Sequence, residues 1–226
     1  MEYQYSDHHL PAEITGVFRV LDRAGFFSDG LLIGSWAMLF YQEALGFRYV
    51  LRTGDIDFAI IQGVSKKPEL VADLEAQLVE VGLEPVIDRT TGLQKFLLDL
   101  YEVEFLIPRT GGRDNIQLIK KYNVNAQPLP FLDILFIDPI TVCLPDSTIR
   151  IPRPEALFFH KMIIAQRRKK ETKKYKDLEQ CQLLAEHIDH ATLKTLAHGY
   201  KLGRSTIKMI RQSCAAIGFA EGTLLP

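Results

Sequence analysis

Two short motifs constrain the fold more than any other feature of the chain. Gly34-Ser35 interrupts the apolar run LLIGSWAMLF, and Asp55-Ile56-Asp57 opens the apolar segment DIDFAI. In a β-strand, residues i and i+2 face the same side, so the two aspartates converge while Ile56 enters the core. Because adjacent carboxylates repel each other, this pattern predicts either an exposed strand end or a cation between them.

Hydrophobic periodicity divides the chain into a mixed part and a helical part. Apolar residues at helical spacing predict helices over Pro11–Phe27 and Pro68–Val81, and a helix capped by Ser35 that ends at Gly46. Predicted extended segments are Leu31–Ile33, Ile56–Ile61, Glu84–Asp88, Gln94–Leu98 and Tyr101–Ile107, with a hairpin in ITVCLPDSTIRIP and helical stretches from Pro154 onward. The pattern predicts an α+β domain over residues 1–152 and an all-helical domain over residues 153–226.

Composition restricts the class of partner. Hydrophobic residues make up 47% and charged residues 24% of the 226 residues, and the net charge is −1. A polyanion would therefore have to be attracted by a local basic patch. The sequence shows neither a leader nor an apolar run of about 18 residues, which predicts a cytoplasmic protein without a membrane partner. The three cysteines are widely spaced and predict neither a disulfide framework nor a zinc site.

The two motifs, in this order and with a helix between them, resemble those of the DNA polymerase β-type nucleotidyltransferase superfamily. The resemblance implies a small mixed β-sheet with helices on one side. It also implies transfer of a nucleotidyl group from a nucleoside triphosphate to an acceptor hydroxyl, with Mg²⁺ or Mn²⁺ bound by Asp55 and Asp57. Gly34 and Ser35 would hold phosphate, because glycine permits close backbone approach and a helix N-terminus attracts anions.

Members of this superfamily take a third carboxylate from a later, neighbouring strand. In the segment YEVEFLIP, Glu102 and Glu104 share one face, while Val103 and Phe105 share the other. Glu104 directly precedes the apolar Phe105-Leu106 and is the better match for a catalytic residue and metal ligand. Glu102 is the alternative. A glutamate at this position, where aspartate is commoner, departs from the usual pattern.

A narrower resemblance comes from the residues around both motifs. Arg52-Thr53-Gly54 before the aspartates resembles toxin-type nucleotidyltransferases of the abortive-infection class, and GSWA with TGDIDF is closer still to uncharacterised bacterial nucleotidyltransferases. Arg52 and Thr53 are accordingly candidate substrate-binding residues. The link between Ser35 and Asp55 is longer than in most members of the superfamily.

The helical half adds a looser match. In PRPEALFFHKMIIAQRRKKETKKYKDLEQ, the residues that resemble the family's second-domain signature are Lys161, Arg167 and Asp177. The resemblance implies that Lys161 neutralises triphosphate charge and that Asp177 positions either this lysine or the acceptor.

The sequence is compatible with several acceptors and with an active or an inactive protein. The run QRRKKETKKYK (residues 166–176) carries seven basic residues and one acidic residue, typical of a solvated helix junction or of a patch that contacts a nucleic-acid backbone. RNA and protein are both candidate acceptors. The alternative function is a catalytically inactive nucleotide- or RNA-binding module, such as a toxin–antitoxin component. A structural interaction protein is a third hypothesis, and it predicts no nucleotide binding.

Overall fold

The computed structural model describes residues 2–5, 10–61, 70–112 and 114–225, and the chain forms two compact units. The first unit comprises Met1–Ala44 and Arg48–Pro152, and the second comprises Leu45–Phe47 and Arg153–Pro226. Within the second unit, the ring of Phe47 packs on that of His187 with centroids 5.2 Å apart. This contact gives the short segment 45–47 a place in a unit that is otherwise formed by residues after 152.

The α+β class predicted from the sequence is confirmed by the elements up to residue 152. The helices are α1 (Ala12–Arg23), α2 (Ala37–Leu45) and α3 (Leu74–Glu80). The strands are β1 (Glu2–Gln4), β2 (Gly30–Leu32), β3 (Asp55–Ile60), β4 (Glu84–Ile87), β5 (Gln94–Leu98), β6 (Tyr101–Pro108), β7 (Gln117–Ile119), β8 (Val124–Leu129), β9 (Ile140–Cys143) and β10 (Thr148–Ile151).

The larger sheet is mixed and has β6 at its centre. Its strand order is β2-β3-β6-β5-β4, and β8 pairs with both β6 and β7. Strand β6 runs parallel to β3 and β8 and antiparallel to β5. This position places the carboxylates of β6 directly beside those of β3.

One face of this sheet is apolar and anchors the strands. Ile56 on β3, Val103 on β6 and Phe96 on β5 are in register and fully buried. The buried rings of Phe58 and Phe105 stack with centroids 5.9 Å apart. Since side chains alternate along a strand, burying this face fixes which residues point to the opposite one.

A smaller sheet joins both ends of the first unit. Strand β1 pairs parallel to β9, and β9 pairs antiparallel to β10, forming the hairpin that the sequence predicts. The buried Tyr41 hydroxyl donates a hydrogen bond to the carbonyl oxygen of Pro152, with an oxygen–oxygen distance of 2.5 Å.

Some predicted boundaries differ from those observed. Strands β1, β7 and β8 were not predicted, because their apolar residues are few or interrupted by Asn, Gln and Pro. Helix α3 begins at Leu74, since the Asp73 carboxylate accepts a hydrogen bond from the Ala76 N–H at 3.1 Å and so caps the helix there. Leu70, predicted on its buried face, is 61% exposed. Pro68, where this helix was predicted to begin, lies outside the described residues.

The second unit is helical, as the pattern from Pro154 onward predicts. Its helices are α4 (Pro154–Ile164), α5 (Glu171–Ala185), α6 (His190–Gly199) and α7 (Arg204–Ile217). Helix α4 is buried along almost its whole length, which explains its nearly continuous apolar sequence. Helix α4 is followed by a 3-10 turn over Ala165–Arg167. No helix among the described residues is long and apolar enough to cross a membrane.

Candidate functional site

Four carboxylates lie side by side on the polar face of the larger sheet. Asp55 pairs in register with Glu102, and Asp57 pairs with Glu104, across the parallel strands β3 and β6. All four side chains are partly exposed, whereas Ile56 between the aspartates is buried. We call these four residues, together with Lys95 on β5, the carboxylate face.

Lys95 is a member of this face that the sequence analysis missed. It lies directly across from Glu104 in the antiparallel pairing of β5 and β6, and its Nζ contacts both Glu102 Oε1 and Glu104 Oε1. The two-residue turn at Asp99-Leu100 sets the register of this hairpin, so the turn was the signal that could have revealed the pair. An ammonium group therefore already stands between the two glutamates.

The surroundings of Glu104 on the carboxylate face shift the pKa of its carboxyl group. Burial, together with the neighbouring carboxylates Glu102 and Asp57, raises the pKa of Glu104 to about 7, against the opposing effect of Lys95. Burial alone would lower the pKa of Lys95, but its hydrogen bonds to Glu102 and Glu104 raise it above its ordinary value. The pKa of Glu104 thus lies near neutral pH.

Gly34 brings the backbone turn close to the carboxylate face. Its φ is +72°, and a Cβ at this position would lie 3.1 Å from Asp57 Oδ2. The N–H of Ile33 donates to the carbonyl oxygen of Asp57 at 2.9 Å. The two sequence motifs are therefore in direct contact, and glycine is required both by the backbone conformation and by the space available.

Ser35 occupies the turn itself. Helix α2 begins at Ala37, two residues beyond Ser35, and the carbonyl oxygen of Ser35 accepts a hydrogen bond from the Met38 N–H at 3.2 Å. The predicted start of the helix was thus slightly early. Ser35 is 8% exposed and directly follows Gly34. Its role toward phosphate stays a prediction.

The segment before β3 holds the strand against β6. The Thr53 hydroxyl oxygen accepts a hydrogen bond from the Asp55 N–H at 3.2 Å, and the Gly54 carbonyl accepts one from the Glu102 N–H at 3.0 Å. A Cβ on Gly54 would lie 2.1 Å from the carbonyl oxygen of Leu100, so only glycine fits. Arg52 is exposed just before this segment. The substrate-binding roles predicted for Arg52 and Thr53 stay predictions.

The donor set of the carboxylate face suits a hard divalent cation. Carboxylate oxygens are the preferred ligands of Mg²⁺, and those of Asp57 and Glu104 lie close enough to raise the pKa of Glu104. Across the described ranges, no three His, Cys, Asp or Glu side chains are grouped in a way that could hold a metal ion.

In the second unit, the buried pair Lys161 and Asp177 forms an ion cluster with the partly exposed Arg168. Lys161 Nζ lies 2.7 Å from Asp177 Oδ1, and Arg168 Nε lies 2.6 Å from Asp177 Oδ2. Burial alone would raise the pKa of Asp177, but the two cations outweigh it and lower the value to about 2. Asp177 therefore binds Lys161, while the predicted role of Lys161 toward triphosphate stays a prediction.

The basic run of residues 166–176 lies at the start of helix α5. Arg167, Lys169, Lys170 and Lys173 are exposed. Tyr175, the aromatic residue within the run, is 65% exposed. Basic residues near a helix N-terminus oppose the helix dipole, so this arrangement does not stabilise α5.

The chain matches one family model and is similar to solved structures. A model of a nucleotidyltransferase family matches residues 12–201 of the chain. Among solved structures, the chain is similar to an antigenic nucleotidyltransferase-like protein from Paracoccidioides brasiliensis, with 15% identity, a TM-score of 0.46, and coverage of 91% of this chain and 87% of that one. It is also similar to the antibiotic-resistance factor ANT(2'')-Ia, with 11% identity, a TM-score of 0.44, and coverage of 90% and 97%. No curated protein matches the chain.

Proposed function

The chain belongs to the nucleotidyltransferase family, and we propose that it transfers a nucleotidyl group from a nucleoside triphosphate to an acceptor hydroxyl with the help of Mg²⁺ or Mn²⁺. The observation that carries the proposal is the register of the parallel strands β3 and β6, which sets Asp57 beside Glu104 and Asp55 beside Glu102. A purely structural protein has no need for four adjacent carboxylates, because their mutual repulsion costs stability.

The carboxylate oxygens of this face are ligands that suit Mg²⁺ or Mn²⁺. Asp55 and Asp57 would hold the ion, with Glu104 as the third ligand and Glu102 as the alternative. A bound divalent ion would supply charge neutralisation for the triphosphate and for the departing pyrophosphate. The raised pKa of Glu104 supports this assignment, since a nearby cation relieves the repulsion that contributes to the shift.

Each further residue has a role that follows from its position. The Gly34-Ser35 turn would hold the β- and γ-phosphates against the face, with Arg52 and Thr53 as secondary contacts. The acceptor oxygen would attack the α-phosphorus while the bond between that phosphorus and the β-phosphate oxygen breaks. Where Glu104 does not bind the metal, it would instead act as the general base that accepts the proton of the hydroxyl.

The acceptor class is the finer part of the proposal. An RNA acceptor is supported by the exposed basic residues of the run 166–176, since cationic side chains contact phosphates in a salt-dependent way. A protein acceptor gains no comparable support from the described residues. The alternative is a module that binds nucleotide or RNA without turnover, as in a toxin–antitoxin pair.

The test is to incubate the protein with each labelled nucleoside triphosphate, Mg²⁺ and total cellular RNA or protein, and to measure pyrophosphate release and label transfer. We expect transfer by the wild type and a loss of at least a hundredfold in Asp57→Asn. Asp146→Asn, which alters a carboxylate whose side chain is 70% exposed in the β9–β10 hairpin, is the matched control and should retain activity. Nucleotide binding without pyrophosphate release would favour the inactive module.

A further inference from the structure

Lys95 is the one group on the carboxylate face to which the transfer reaction assigns no role. In the sheet, Asp57 on β3, Glu104 on β6 and Lys95 on β5 form one continuous cross-strand row. The side chain of Lys95 is 18% exposed, and its ammonium contacts the glutamate of its own row and also Glu102 in the next row. Lys95 thus contacts both glutamates that are candidates for the third metal ligand.

Packing alone does not require a cation at this position. Two of the residues that face the same way are apolar, with Leu97 opposite Glu102 and Val86 opposite Lys95. A lysine ammonium is strongly hydrated, so removing most of its solvent is unfavourable unless anions compensate. Its contacts with Glu102 and Glu104 supply that compensation.

We propose that Lys95 is a positioning residue that acts as the permanent countercharge of the carboxylate face, holding Glu102 and Glu104 in the metal-free protein and competing with the divalent cation for them. This inference rests on the proposed function. An ion that binds the aspartates and Glu104 enters next to a fixed positive charge, which weakens its binding. The triphosphate adds negative charge, so metal and nucleotide should bind better together than either does alone.

The test measures Mn²⁺ binding to nucleotide-free protein by electron paramagnetic resonance, a readout that does not depend on turnover. Lys95→Met should bind Mn²⁺ on the order of tenfold more tightly than the wild type, the effect of removing a unit charge a few ångströms from a divalent ion in a water-like dielectric. In the same variant, the gain in Mn²⁺ affinity on adding a non-hydrolysable triphosphate should shrink. Lys95→Arg keeps the charge and should retain the wild-type affinity.

Lys121→Met is the matched control. Lys121 lies in the same unit, is partly buried and pairs with Asp29, so this variant also removes a lysine from an ion pair. It should leave Mn²⁺ affinity unchanged. Lys95→Gln carries the same test if circular dichroism shows that Lys95→Met does not fold.

The outcomes separate this inference from the proposed function. Equal Mn²⁺ affinity in the wild type and Lys95→Met, or a tighter affinity in Lys95→Arg as well, would overturn the countercharge role and leave the metal site intact. Absence of Mn²⁺ binding in every variant, with or without triphosphate, would overturn the metal site and the inference together.

Discussion

At the scale of single residues, two glycines decide how closely the backbone approaches the carboxylate face. Gly34 has a positive φ, and a Cβ there would be in tight contact with Asp57, while Gly54 lies against the Leu100 carbonyl. Glycine is the residue that meets both demands, because any other residue adds a Cβ. The break in the apolar run LLIGSWAM is thus explained by the contact between its turn and strand β3.

We expect Gly34→Ala to lose affinity for the magnesium–triphosphate complex by at least tenfold, because its methyl group would press on Asp57. Gly25→Ala is the matched control, since Gly25 has φ +68° and nothing within 4 Å of an added Cβ. Both variants should lose about 1–2 kcal/mol of unfolding free energy through backbone strain. Ser35→Ala should lose only one hydrogen bond, about 0.5–1.5 kcal/mol of binding. Calorimetric titration gives the affinity of each variant for the magnesium–triphosphate complex, and urea denaturation gives the unfolding free energies. Equal affinities in Gly34→Ala and Gly25→Ala would contradict the phosphate role.

At the scale of elements, helices α4 and α5 are joined by charge as well as by apolar packing. Asp177 on α5 is 1% exposed and accepts hydrogen bonds from Lys161 on α4 and from Arg168 between the helices. Lys161 is itself 3% exposed, so neither charge has much contact with solvent. The energetic consequence is asymmetric, since losing one partner leaves the other charge buried and uncompensated.

We therefore expect Asp177→Ala to lower the free energy of unfolding by about 3–5 kcal/mol, the typical effect of breaking a buried ion pair. Arg168→Ala should cost far less, because the Arg168 side chain is 38% exposed and Asp177 keeps its bond to Lys161. Urea denaturation followed by circular dichroism gives both values. A loss below 1 kcal/mol in Asp177→Ala would show that Lys161 reaches solvent or another partner when Asp177 is removed.

At the scale of the whole molecule, the pH dependence of stability carries a contribution from Glu104. Its pKa is about 7 in the folded protein against an ordinary value of 4.5, so the folded state binds more protons between these limits. The stability that this group contributes is full below pH 4.5 and is lost as the pH rises through 7. Asp177 has the opposite sign, since its lowered pKa contributes stability that is lost only as the pH falls from 3.8 toward 2.

We expect the unfolding free energy of the wild type, measured by urea denaturation in metal-free buffer, to fall more steeply between pH 4.5 and 7 than that of Glu104→Gln. The amide cannot ionise, so the difference between the two curves isolates this carboxyl group. Parallel curves across that range would mean that Glu104 has an ordinary pKa in the folded protein.

The sequence predicted those parts of the fold that depend on local pattern. Strand β5 was predicted with its observed bounds, and β3 and β6 to within one residue at each end, because alternation and the two-residue turn specify them. Strand β8 has the polar Asn125 and Gln127 between buried positions and ends near a proline, so its sequence resembles a loop. Its partner β6 stabilises it, and that pairing is not a local property.

In the candidate site too, the sequence predicted the features that depend on local pattern and missed those that depend on distant contacts. Each motif indicated carboxylates or a phosphate turn by itself, but the register of β3 against β6 depends on the packing of the whole sheet. The contact between Gly34 and Asp57 joins residues far apart in sequence, and no local pattern specifies such a contact. Lys95 is the exception, since only two residues separate the predicted segments Gln94–Leu98 and Tyr101–Ile107, and the position opposite Glu104 could have been counted across that turn.

The position of Trp36 gives the protein a built-in optical reporter. It is the only tryptophan in the sequence, it directly follows Gly34-Ser35, and it is 1% exposed. Its ring meets that of Tyr101, the residue before Glu102, with centroids 5.8 Å apart. All indole fluorescence therefore arises from one buried ring flanked by both halves of the site. Tryptophan emission, excited selectively over that of the eight tyrosines, reports on that small region alone.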